Sequence, residues 1–180
     1  MKAGILLLAL LVAAQCAGAA DSPWHTPDGK PVADSDAMKG ANGFGASLVL
    51  TPDADWQAKW NTPPETAPRF RSTNRVKVGE KVTLLIFLLN PKVDAKGEVD
   101  VRCDIAIRKP DGTVATAEKN LVCLRGPLQG DPLKVRLAAP VVAFEGEASD
   151  PRGEWRIEVS VNDALGGTTL PLKAVFTLQK

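Results

Sequence analysis

The chain has 180 residues, with 22 Lys and Arg against 21 Asp and Glu, one His and a formal charge of +1. Aromatic residues make up only 5% of it, and tyrosine is missing altogether. Such a balance supplies no basic field for nucleic acid or an anionic lipid surface, while the length suits a single domain with a real core.

The chain opens MKAGILLLALLVAAQCAGAADSPW, with one basic residue, an apolar run over 3–14, and then the small residues Ala17, Gly18, Ala19 and Ala20. That is the pattern of a secretory signal over 1–20 with an A-x-A site at 17–19. The apolar run is too short for a bilayer, which needs about 20 residues, and no later apolar stretch of that length is free of charge. We therefore expect an exported protein without a transmembrane segment, working in the periplasm, at the cell surface or outside the cell. Cys16 stands where a lipid could attach, but Gln15 before it and the lack of a Leu three positions earlier fit a lipobox poorly. The expectation is that Cys16 leaves with the signal. Lys2 leaves too, so +1 minus 1 gives a mature net charge of zero.

Residues 21–45 are rich in Pro, Gly, Asp and Ala, with a period of neither two nor 3.6, which predicts a flexible N-terminal segment or one laid over the surface. Trp24 and His25 lie in it. Residues 46–50 (ASLVL) give a first short strand. In the stretch DADWQAKWNTPPETAPRF that follows, Trp56 and Trp60 are four residues apart and a proline run comes next. Thr51 is placed to cap a short helix, with Pro52 in its first turn and Asp53 and Asp55 near the positive end of its dipole. The helix must stop near Asn61, since Thr62 precedes Pro63 and Pro64. Both indoles then share one helix face.

Residues 75–78 form another short strand, and KVTLLIFLL over 81–89 a strong one. This strand is apolar on both sides, with Val82, Leu84, Ile86 and Leu88 on one and Leu85, Phe87 and Leu89 on the other. The side that does not face the core needs a cover. Paired indoles, with about 150–250 Å2 of contact each, are large enough to provide it. Left bare, indoles and strand would instead mark a protein interface or a platform for sugar rings or a Pro-rich peptide. The candidate binding set is therefore Trp56, Trp60, Pro63, Pro64 and Phe70.

Next, EVDVRCDIAIR over 98–108 alternates cleanly: Val99, Val101, Cys103, Ile105 and Ile107 against Asp100, Arg102, Asp104 and Arg108. Pro110-Asp111-Gly112 turns the chain into residues 113–124, which predicts a hairpin. Cys103 and Cys123 fall at a similar level on it, with an offset for a bulge or loose turn to absorb. In an oxidising compartment this even pair reads as a disulfide closing a loop of about 20 residues. Leu133, Val135 and Leu137 alternate, residues 154–162 place Trp155, Ile157, Val159 and Val161 on one face, and Ala164-Leu165-Gly166-Gly167 turns the chain. Leu170, Leu172, Ala174, Phe176 and Leu178 make the last inward row. Seven or eight short strands and one short helix predict an all-β antiparallel sandwich over 46–180.

The succession VGEKVTLLIFLLNP, IRKPDGTV, DPRGEWRIEVSVND and LPLKAVFTL resembles the strand grammar of bacterial immunoglobulin-like and macroglobulin-like sandwich modules, over about residues 73–179. The resemblance implies an extracytoplasmic β-sandwich engaged in binding, spacing or assembly, with no catalytic motif attached.

Catalytic equipment is sparse. A serine or cysteine nucleophile needs a neighbouring base, and the only histidine is His25, in the N-terminal segment. For copper or zinc the mature chain offers that His, Met38 and a cysteine pair read as a disulfide. Glu145, Glu147 and Asp150, with Glu154 and Asp163 nearby, are the calcium candidates, and the one conceivable acid/base set. The segment FEGEASDPRGEW lacks the EF-hand order, so solvated loop charge around a turn at 150–153 is the plainer reading. GANGFG over 40–45 lacks a preceding strand and makes no phosphate loop. We expect a non-enzymatic module with no cofactor, whose partner is an unidentified protein or a second copy of itself. Carbohydrate, stacked on exposed Trp residues, is the alternative ligand.

Overall fold

The computed structural model describes residues 22–63 and 67–180; the signal segment with Cys16, and Pro64 of the proline run, lie outside the described residues. In chain order the strands are β1 Met38–Ala41, β2 Phe44–Thr51, β3 Arg75–Lys77, β4 Lys81–Leu89, β5 Glu98–Arg108, β6 Val114–Pro127, β7 Arg136–Leu137, β8 Val142–Glu145, β9 Gly153–Asp163 and β10 Thr168–Gln179. A single short helix, α1 (Trp56–Trp60), falls between β2 and β3. Among the described residues no helix is long and apolar enough to cross a membrane.

These strands form two five-stranded sheets, a β-sandwich. The first runs β1-β2-β4, with β7 and β8 following one another along the far side of β4; the second runs β3-β10-β9-β5-β6. Every pairing is antiparallel except β3 with β10, which is parallel. The strict alternation of β5 and β9 puts Val101, Cys103, Ile105, Trp155, Ile157 and Val159 inside the sandwich, where they meet Val82, Leu84, Ile86 and Leu88 of β4. Phe144, Trp155 and Phe176 close one end, with ring centroids 4.9 to 6.2 Å apart. The Trp155 indole N–H donates to the Pro151 carbonyl at 2.9 Å, so the core's largest ring leaves no polar atom unpaired.

The hairpin of β5 and β6 carries the disulfide between Cys103 and Cys123, Cα atoms 5.8 Å apart. Register shifts between Val101 and Arg102 and between Cys103 and Ile105 absorb the offset between the two positions.

Ten strands form where seven or eight are expected, and the additions have identifiable causes. Asn42 and Gly43, at φ 52° and 76°, make the two-residue left-handed turn that folds β1 back on β2. The first strand accordingly starts at Phe44 instead of residue 46, and residues 38–45 belong to the sheet. Val142–Glu145 pairs with the first half of β4 and sends Phe144 toward the core. Conversely, the alternation of Leu133, Val135 and Leu137 yields only the two-residue β7. Leu133 is 60% exposed because residues 129–134 curl around the Arg136 guanidinium, which donates to four of their carbonyls.

Candidate functional site

β4 is buried on both sides. Its outward residues Leu85, Phe87 and Leu89 are 0%, 7% and 6% exposed, although they face away from the other sheet. Two earlier segments of the chain cover them and the neighbouring outer face of β2. Trp60 and Phe70 lie against Phe87, with centroids at 5.5 and 5.6 Å. Trp24 covers Gly45 so closely that a Cβ there would stand 2.7 Å from the indole nitrogen, and that nitrogen donates to the Lys39 carbonyl at 3.0 Å. Of the two readings of the N-terminal segment, the structure shows one laid over the surface.

The cover over β4, drawn from residues 52–63 and 67–72, is fastened by one carboxylate. Asp53 is 2% exposed. Its oxygens accept from Lys59 Nζ at 2.6 Å, Arg71 Nε at 2.6 Å and the Arg71 backbone N–H at 3.0 Å, which ties the helix to the chain beyond the proline run. Asp53 thus does not serve as the N-terminal acid of a helix capped by Thr51. That threonine is fully buried at the end of β2 and its hydroxyl accepts the Asp53 N–H at 3.1 Å, while α1 starts at Trp56 with Asp55 as N-cap and no side-chain capping bond.

The Lys59 ammonium, followed by the Arg71 backbone N–H and guanidinium, holds the Asp53 carboxyl well below the usual carboxylate range; burial pulls weakly the other way. Asp53 in turn raises both Lys59 and Arg71. A depressed folded value means that the stabilisation is complete above the unfolded value of about 3.9 and fades as pH falls through the folded one. The thermal stability gap between wild type and Asp53→Asn should therefore be flat from neutral pH to about pH 5 and narrow below about pH 4. Melting curves from pH 7 to 2 check this; a gap that widens in acid would rule the clamp out.

The candidate binding residues are not gathered in one place. Trp60 and Phe70 belong to the cover, Pro63 is exposed at its bend, and Pro64 lies outside the described residues. Trp56 alone is half-buried without a ring partner. It lines a cleft of about 600 Å3 with Gln57, Lys81, Thr83, Val141 and Ala143. Glu145, Glu147 and Asp150 are not brought together either. Asp150 accepts the Glu147 backbone N–H at 2.9 Å, and Arg152 donates to the Glu147 and Asp150 carbonyls. No group of three or more potential metal-ligating side chains occurs among the described residues.

The second sheet's outer face is open. In register across it stand Ala117, Ala106, Glu158 and Lys173, and beside them Asp104, Ser160 and Pro171. The small residues floor a groove of about 550 Å3. Ion pairs edge it, Arg108 with Glu158 at 2.7 Å and Lys173 with Asp36 at 2.9 Å, and Lys39, Glu118 and Lys119 also line it. Sequence alternation marks this face as wet but gives no sign that its middle is hollow.

No family model matches the chain, and no curated protein matches it. Solved structures similar to it include an immunoglobulin-like protein from Pseudomonas aeruginosa (17% identity, 79% of this chain and 95% of that one, TM-score 0.35). The CARDB domain of a Pyrococcus furiosus protein, in complex with di-metal ions, is also similar (12% identity, 61% and 83%, TM-score 0.38). A family 123 glycoside hydrolase from Clostridium perfringens matches at 11% identity and TM-score 0.42, with 76% of this chain covering 27% of that one. The sandwich assignment rests on the two sheets themselves.

Proposed function

We propose that this chain is an exported, non-catalytic β-sandwich module that binds another protein through the outer face of its second sheet, in the periplasm or at the cell surface. The unequal treatment of the two outer faces carries this reading. One is covered by the same chain through Pro23, Trp24, Trp60 and Phe70, while the other presents a small-residue floor inside a rim of mixed charge. An apolar floor bounded by ion pairs matches the usual layout of a protein contact, where a dry centre gives affinity and charged edges give orientation. Export is supported by the N-terminal pattern of the sequence and by a disulfide of the kind that persists in oxidising compartments.

Filling the floor tests it. Ala106→Arg and Ser160→Arg project from the outer face into the groove, so melting temperature should change little while capture of the partner from an envelope extract is lost. Thr177→Arg, at the far end of β10, should capture as wild type does. A partner held equally by both floor variants places the contact elsewhere, and no specific partner from the native envelope counts against the reading. A concentration-dependent dimer abolished by the same substitutions would identify the partner as a second copy.

A further inference from the structure

We propose that the cleft beside Trp56 binds an anionic saccharide, a uronic-acid sugar being the simplest member of that class. This goes beyond the protein-binding reading and does not rest on it, since the cleft lies on the other sheet. The two indoles of the helix have different duties: Trp60 is engaged by Phe87, whereas Trp56 has no ring partner and its indole N–H donates to nothing among the described residues. Opposite it, on the outward side of β4, Thr83 lines the cleft, and its hydroxyl bonds to no other side chain among the described residues. Its oxygen is not among the buried unpaired atoms, so it opens on the cleft and is available to a group that enters. The Gln57 amide and the Lys81 ammonium line the same cleft, again without a side-chain partner among the described residues. Glu145, opposite Lys81 in the β4–β8 register, neither pairs with it nor lines the cleft.

The chemistry of this set is one-sided. It offers the Trp56 indole, apolar walls from Ala54, Val141 and Ala143, and four donor groups of which one is a cation. The lone carboxylate of the lining, Asp53, is already saturated by Lys59 and Arg71 and does not neutralise Lys81. A pyranose ring packs its C–H face on an indole, its hydroxyls answer Thr83 and Gln57, and a ring carboxylate answers Lys81. The volume of about 600 Å3 falls within the range of about 300–1,000 Å3 found for ligand pockets.

Trigalacturonate and its neutral methyl ester are the probes, followed by calorimetry and Trp emission on the intact protein. Trigalacturonate should bind with affinity that falls as salt is raised, and the ester should bind much more weakly. Lys81→Gln, an exposed change that leaves the fold alone, should weaken trigalacturonate about fivefold, the size expected for one solvent-screened ion pair. Thr83→Val, which keeps the shape but removes the hydroxyl, should weaken it too, and Trp56→Ala should abolish it. Absence of trigalacturonate binding by wild type, equal binding of the ester, or binding that survives both Lys81→Gln and Trp56→Ala overturns the proposal. Ala106→Arg and Ser160→Arg should leave trigalacturonate binding intact, which separates the fate of this site from that of the protein-binding face.

Discussion

Phe87→Ala should lower stability by about 3–5 kcal/mol, the cost of emptying a buried aromatic site that cannot collapse. In a domain of this size that is a drop of roughly 6–20 °C in melting temperature. The ring is 7% exposed and lies between Trp60 and Phe70, on the side of β4 that faces away from the sandwich core. Its loss leaves both cover rings without their common support, so Trp60 emission should shift to the red and residues 52–63 and 67–72 should become more open to protease. Trp60→Ala should cost less, because that indole is only half-buried. If Phe87→Ala melts within two or three degrees of wild type and Trp emission is unchanged, the cover is not integral to the fold.

The need for that cover was legible in the sequence. KVTLLIFLL is apolar on both faces, and a strand of that kind cannot leave one face in water; with an indole pair a short distance upstream, the covering element was legible as well. Which indole would do the covering was not. Trp56 and Trp60 share a helix face by spacing, but only tertiary packing places Phe70 next to Phe87 and so draws in Trp60. Nor does any local pattern show that Trp24, 21 residues before Gly45, finds a side-chain-free spot to lie on.

The second sheet, in contrast, could be read strand by strand, because β5, β9 and β10 are long, have one wet face each and alternate over their whole length. What escaped were short elements whose pairing is decided by a partner. The Asn42-Gly43 dipeptide is a strong hairpin signal, yet the polar, glycine-rich residues around it hid a four-residue strand with no alternation of its own. The same holds for β8: Phe144 sits among acidic loop residues in sequence and becomes a core ring only because β4 offers an edge on which its strand can pair. For the candidate site the limit is similar. The residue types at the Trp56 cleft come from α1, β4 and the approach to β8, so their meeting is a property of the fold and not of any segment.

Removing the disulfide should be the other large loss. Cys103→Ala with Cys123→Ala frees a loop whose ends are 20 residues apart, which in the chain-entropy picture costs about 3 kcal/mol, or roughly 6–12 °C here. Its position makes the effect more than a matter of the unfolded chain. β6 is the outermost strand of its sheet, hydrogen-bonded to β5 alone within it, and residues 111–120 around the hairpin tip are all exposed. Burial cannot hold such a strand in place, whereas Cys123, 1% exposed, anchors it to the core at the level of Cys103. The double variant should therefore lose hydrogen-exchange protection in β6 before β9 or β10, and mass measurement should show the native protein gaining two protons on reduction. Should β6 stay as protected as β9 without the disulfide, strand pairing alone would be holding the edge, and the part of the groove floor that Ala117 provides would not depend on the cysteines.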